Sequence, residues 1–196
     1  MTVTLFKTKI IITAPFAFLI ALLLIFDKTG MMSVSVIAVT LHELGHLMAL
    51  YALNLPPKSI TLSIIGVNIK QTYLFEKPIF ETVVAAAGPI LNLLTSFFLV
   101  PFIDKAFPAA LCAAGIVIGA FNLLPLSGLD GGDILNSLLS IKLNENKVNI
   151  ITKVTNIITI VLVALIGVCL LLSPSRNPTM LIAAVYLTVY VLLKRR

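Results

Sequence analysis

Between Met31 and Asn54 runs an apolar stretch long enough to cross a bilayer. Inside it stand three ionisable side chains within five positions, in the segment His42-Glu43-Leu44-Gly45-His46. Each costs roughly 2.5–3.5 kcal/mol at the bilayer centre on insertion scales, so such groups are rare there and mark function. His42 and His46 are four residues apart, which on a helix puts both imidazoles on one face. Glu43 lies beside them, within reach of a water held by a metal. The pattern is H-E-x-x-H: two zinc ligands and a general base. These are the two histidines of the chain. The competing reading, hydrogen-bonded structural histidines on an apolar helix, leaves the cost of burying all three groups without a return.

The surrounding sequence fits a membrane setting. Of 196 residues, 59% are hydrophobic and 11% charged, against about a quarter charged in soluble domains. The chain therefore reads as an all-α polytopic membrane protein. Its length leaves no room for a large soluble domain, so residues 1–196 read as a single domain. The net charge of +6 does not indicate nucleic acid, because the basic residues are dispersed and their placement follows membrane topology. Cys112 and Cys169 fall in apolar runs and read as small buried side chains rather than a disulfide.

Six spans are expected by length, at about 10–26, 31–54, 79–103, 107–124, 150–172 and 179–193. The first follows Lys7 and Lys9 like a signal peptide, but no small-residue cleavage site follows it, so a retained span is expected. Between spans two and three, residues 58–75 alternate with period two: Ile60, Leu62 and Ile64, then Ile65, Val67 and Ile69. That predicts a short β-hairpin with a slip at Ile64-Ile65 and a turn or bulge by Gly66. The third span contains Gly88-Pro89 and, one turn on, Asn92. Proline at mid-span frees a carbonyl and bends the helix. Asn92 needs a partner in the bundle, either for helix packing or as part of a site. The fourth span runs into Asn122-Leu123-Leu124-Pro125, then Gly128-Leu129-Asp130-Gly131-Gly132-Asp133. Such broken backbone is tolerated at membrane depth where it lines a cavity. A short amphipathic helix, Ile134 to Leu143, should follow.

With six spans and a cytoplasmic N-terminus, 11 of the 14 basic residues fall on the cytoplasmic side. The other 3, Lys28, Lys105 and Arg176, fall opposite. The positive-inside rule thus puts both termini in the cytoplasm. Spans two and four then both run inward, and His46 and Asp130 both lie towards the cytoplasmic face.

A catalytic zinc usually takes three protein ligands and a water. No histidine remains, so the third is sought among the carboxylates. Asp27 and Asp104 lie on the far side, Glu43 is the base, and Glu76, Glu81 and Glu145 flank spans as interfacial charges. Asp130 and Asp133 remain. Asp133 has a sufficient alternative role as N-cap of the helix from Ile134, which favours Asp130.

Together these residues resemble the site-2 protease family of intramembrane zinc metalloproteases. The resemblance rests on His42-Glu43-Leu44-Gly45-His46, on Gly88-Pro89-Ile90-Leu91-Asn92, and on Asn122-Leu123-Leu124-Pro125 followed by Leu129-Asp130-Gly131. It covers about residues 1–145. It implies a six-span bundle with a core of three, zinc on His42, His46 and Asp130, and cleavage of transmembrane or membrane-associated protein substrates. It gives Asn122 a place near the active site, holding substrate or the oxyanion. Gly88, Pro89 and Asn92 become supporting residues of the site. Chain size and span layout look most like the bacterial sporulation-type branch, which releases a transcription factor from a pro-segment in the cell membrane. Members there often carry a regulatory nucleotide-binding domain after the last span. The sequence ends at Arg196, so that regulatory input is expected either to be absent or to lie beyond a truncated end, and no PDZ domain is expected within these residues.

The expected function is zinc-dependent hydrolysis of peptide bonds near the cytoplasmic face. The competing classes are a non-catalytic scaffold that binds membrane helices and a metal-binding transporter. A scaffold has no need of the base Glu43, and a transporter should show inverted-repeat symmetry, which is absent.

Overall fold

The structure, a computed structural model, describes residues 2–5, 8–63, 66–70, 77–173 and 178–194. In chain order its elements are β1 (Thr2–Leu5), β2 (Thr8–Ile12), α1 (Ala14–Phe26), α2 (Met31–Ala52), β3 (Ser59–Ser63) and β4 (Gly66–Lys70). Then come α3 (Pro78–Leu99), a 3₁₀ turn (Val100–Phe102), α4 (Ala106–Asn122), α5 (Asp130–Ser140), α6 (Glu145–Leu172) and α7 (Thr179–Lys194). The contacts divide it into two compact units, Met1–Phe121 and Asn122–Arg196.

Three helical stretches are long and apolar enough to cross a membrane: Met31–Ala52, Pro78–Phe102 and Glu145–Leu172. The other three apolar runs also form helices, Ala14–Phe26, Ala106–Asn122 and Thr179–Val191, but shorter ones. At about 1.5 Å per residue, the 13 residues of α1 rise only about 20 Å, short of a hydrocarbon core of about 30 Å. Polarity is distributed as a lipid environment requires. Large apolar side chains such as Ile25, Phe97 and Leu172 face outward, while His42, His46, Asn92, Ser96, Asn156 and Thr159 are buried.

The first unit joins a helical layer to a sheet. Strand order is β1-β2-β3-β4, with β1 and β2 antiparallel, β2 and β3 parallel, and β3 and β4 antiparallel. Two expectations change here. The element after α2 is not an isolated hairpin but half of a four-stranded sheet. The run expected as a span over 10–26 begins as strand, because Thr8-Lys9-Ile10-Ile11-Ile12 is β-branched and pairs in register with Ser59–Leu62. Helix starts only at Ala14, where a proline in the first turn needs no N–H partner. The sheet is tied to the end of α2: the buried Thr8 hydroxyl donates to the Pro57 carbonyl at 2.8 Å and shares a 2.9 Å hydrogen bond with the Tyr51 hydroxyl. In the expected hairpin region, Ser63 pairs with Gly66. Ile64, Ile65 and 71–75 lie outside the described residues, as does Arg176.

Within this unit α2 and α3 pack backbone to backbone. A Cβ on Gly45 would stand 2.4 Å from the Ala87 carbonyl oxygen and 2.8 Å from the Gly88 Cα, the close approach that small residues permit between membrane helices. The contact of α3 with α4 is polar at its centre. The Ser96 hydroxyl reaches the carbonyls of Asn92 (2.8 Å) and Cys112 (3.0 Å), and the Cys112 thiol donates to the Ser96 carbonyl at 3.4 Å. Both cysteines are free, and Cys112 is buried as expected. Cys169 is exposed on α6 instead, on the outward side of a span where an apolar thiol needs no protein cover.

In the second unit α5 and α7 pack on α6. α5 begins at Asp130, not at the expected Ile134, with Leu129 as its N-cap. A Cβ on Gly131 would fall 2.2 Å from the Leu123 carbonyl oxygen, and one on Gly132 2.2 Å from that of Leu126. The glycine pair therefore lodges the first turn of α5 directly on the 123–126 backbone. The Asp133 amide already donates to the Leu129 carbonyl at 3.2 Å. Asp133 is thus a first-turn residue, and its expected N-cap role does not hold.

Candidate metal centre

In the first unit the geometry centres on α2 and α3. His42 and His46, 5% and 8% exposed, stand one turn apart on the face of α2 that meets α3. Their Nε2 atoms are 3.1 Å apart, and the rings meet edge to face with centroids 4.8 Å apart. The ring of His46 is held against α3. Its Nδ1 lies 2.8 Å from the Val84 carbonyl oxygen; a carbonyl only accepts, so Nδ1 carries the proton and Nε2 the lone pair. One turn further along α3, Gly88 supplies the space for that ring. A Cβ there would sit 2.3 Å from His46 Nε2 and 2.6 Å from Cε1.

Asn92 lies beneath His42. Its Nδ2 is 3.4 Å from His42 Nδ1, and the residue is 1% exposed. Its Oδ1 is buried with no hydrogen-bond partner among the described residues, an arrangement that costs about 1–3 kcal/mol. Pro89, also buried, lies within α3 and withholds an amide from its first half. Glu43 is half-buried on α2. Three residues before His46, it flanks the histidine face.

This donor set fits zinc. Two nitrogens each 2.0–2.1 Å from one tetrahedral ion stand about 3.3 Å apart, close to the separation seen here. The Val84 contact is the kind of outer support that orients a ligating imidazole. One turn apart, buried and aimed together, the two rings have the disposition that H-E-x-x-H predicts.

The second unit carries Asn122 as the last residue of α4 and Asp130 as the first of α5. Asp130 and Asp133 share the first turn of α5, where carboxylates oppose the positive end of the helix dipole. What holds the intervening loop lies outside the motifs that the sequence singles out. Asn156, 5% exposed in the middle of α6, accepts the Ser127 amide at 2.9 Å through Oδ1 and donates to the Ser127 hydroxyl at 3.0 Å through Nδ2. Thr159, one turn on, reaches the Pro125 carbonyl at 3.5 Å. The signal was available: an amide inside an apolar run, the same feature that singled out Asn92.

No family model matches the sequence. A cyanobacterial protein of Synechocystis sp. named "Putative zinc metalloprotease" is 33% identical over 119 residues, which is 56% of this chain. The chain matches 31% of that relative's length. Among solved structures, the Site-2 Protease from Methanocaldococcus jannaschii superimposes with a TM-score of 0.69 at 19% identity, over 100% of this chain and 95% of that one. The chain thus shares the fold of that protease.

Proposed function

We propose that this chain is an intramembrane zinc metalloendopeptidase that cleaves transmembrane or membrane-associated proteins near the cytoplasmic face. The observation that carries the reading is the buried His42–His46 pair, with Nε2 atoms 3.1 Å apart and the His46 ring pinned through Nδ1. The fold likeness and the partial likeness to a zinc metalloprotease support it. His42 and His46 hold the ion through Nε2. Asp130 supplies the third donor, completing two imidazoles and one carboxylate. Zinc, when bound, lowers the pKa of a water and polarises the carbonyl to be attacked. The Glu43 carboxylate takes the water's proton and returns it to the leaving amine. The Asn122 amide donates to the oxyanion, a role worth about 2.7–4 kcal/mol where it has been removed elsewhere.

The same reading makes residues 1–196 one domain with six spans, both termini cytoplasmic, in a bacterial cell membrane. The short helices α1, α4 and α7 then lie in a locally thinned bilayer. β4, at the edge of the sheet, offers its free side to an extended substrate segment by strand addition. The product is a cytoplasmic fragment, consistent with release of a tethered transcription factor in the manner of the sporulation-type branch.

The test uses a tagged model substrate in membranes, cleaved by wild type and Glu43→Gln. The variant should keep its zinc and lose cleavage, because an amide cannot accept the proton. Full activity in the variant, or a fragment released only to the far side, would overturn the reading.

A further inference from the structure

We propose that Asn92 is a positioning residue whose amide sets the tautomer of His42 and reverses when the metal is loaded. This rests on the reading that His42 and His46 hold zinc through Nε2. As placed, the hydrogen bonds form one directed chain. Asn92 Nδ2 faces His42 Nδ1 at 3.4 Å, so the amide donates and the His42 ring proton sits on Nε2. That proton points at His46 Nε2, 3.1 Å away, whose lone pair is available because His46 Nδ1–H is given to Val84. The chain ends on a carbonyl, which fixes its direction. It leaves Asn92 Oδ1 buried and without a hydrogen bond among the described residues.

This chain cannot coexist with an ion between the rings, since the His42 Nε2 proton occupies the ligand position. The ring must carry its proton on Nδ1 instead, and Nδ1 then faces whatever Asn92 presents. An NH₂ group there would set two donors against each other. Turning the carboxamide by 180° exchanges its nitrogen and oxygen. Oδ1 then accepts from Nδ1–H, and His42 Nε2 is bare towards His46. His46 needs no such change, because the Val84 carbonyl holds it in the metal-ready tautomer. Asn92, almost wholly buried and facing His42 Nδ1, is placed to serve His42 in both states.

The chain has two histidines, so ¹⁵N-histidine labelling yields four ring-nitrogen signals to assign. Full-length protein in detergent is compared at one fixed pH after chelator stripping and after zinc loading. His46 Nδ1 should be protonated in both states, and His42 should move its proton from Nε2 to Nδ1. Zinc affinity is measured by chelator competition in wild type, Asn92→Asp and Asn92→Leu. Asp can only accept and should bind zinc at least as tightly as wild type. Leu, of similar size, should bind about 10–100-fold more weakly, the usual loss when a ligating histidine loses its outer partner. Equal losses in both variants, unchanged affinity in Asn92→Leu, or a His42 Nδ1 proton already present in stripped wild type would each overturn the proposal. Wild-type protein that takes up no zinc would instead overturn the reading of the site beneath it.

Discussion

Gly88→Ala is the smallest change that should remove the metal while leaving most of the fold. The added Cβ would meet three atoms of the His46 ring, at 2.3, 2.6 and 2.9 Å. Ordinary contact begins near 3.4 Å, so the ring or α3 must retreat by about 1 Å. The ring has little freedom, because moving it stretches the 2.8 Å bond to Val84. Overpacking of this kind costs about 1–3 kcal/mol. Leaving a buried carbonyl or ring N–H unpaired costs about 1–3 kcal/mol more. The effect on metal is sharper, since metal–ligand distances tolerate only about 0.2 Å and Nε2 would be displaced several times that. The expected result is zinc affinity lowered by more than the 10–100-fold cost of losing an outer partner, with thermal unfolding in detergent only moderately earlier. Gly119→Ala is the control. Its Cβ would find its nearest neighbours at 3.3 and 3.4 Å and should leave zinc binding within a few-fold of wild type. Chelator competition reads both. Wild-type affinity in Gly88→Ala would show that the close packing of α3 on His46 does not matter to the metal.

Two further predictions address the second unit and the sheet. Asp130→Asn should lower zinc affinity and cleavage sharply, whereas Asp133→Ala should leave zinc affinity near wild type while losing the first-turn dipole interaction, worth about 0.3–1 kcal/mol; the reverse pattern in metal titration and thermal unfolding would move the ligand to Asp133. Val67→Pro tests strand addition: Ser63 and Gly66 close the hairpin as a hydrogen-bonding pair, so in the alternate pair Leu62–Val67 the Val67 N–H faces away from β3. The variant should slow cleavage of a membrane substrate without loss of zinc, and an unchanged rate would leave the β4 edge without that role.

The candidate metal site was legible where chemistry and helical period coincide. His42 and His46 needed only their spacing and the cost of polar groups in an apolar run. Asn92 was marked for the same reason, as a polar group needing a partner, though the partner's identity is a matter of tertiary packing. Gly88 read as part of a bend beside Pro89. Its closer role, as the seat of the His46 ring, exists only once α2 and α3 are in contact. The sheet was half legible. β3 and β4 alternate with period two, but β2 is a β-branched run behind lysines and looks like the start of a span until its partner strand is known. Asp133 reads as an N-cap in the sequence because a Gly-Gly pair usually signals broken helix. Here both glycines are inside α5, kept by contacts with the 123–126 backbone that no local pattern encodes.

The most direct test of the zinc centre is X-ray absorption at the zinc edge on purified Glu43→Gln, prepared without chelators. One zinc per chain is expected, with two imidazole nitrogens at about 2.0–2.1 Å and remaining light-atom donors at about 2.0–2.2 Å. Histidine scattering should vanish together with the bound zinc in His42→Ala/His46→Ala. Protein without stoichiometric zinc, or zinc held by sulfur at about 2.3 Å, would contradict it.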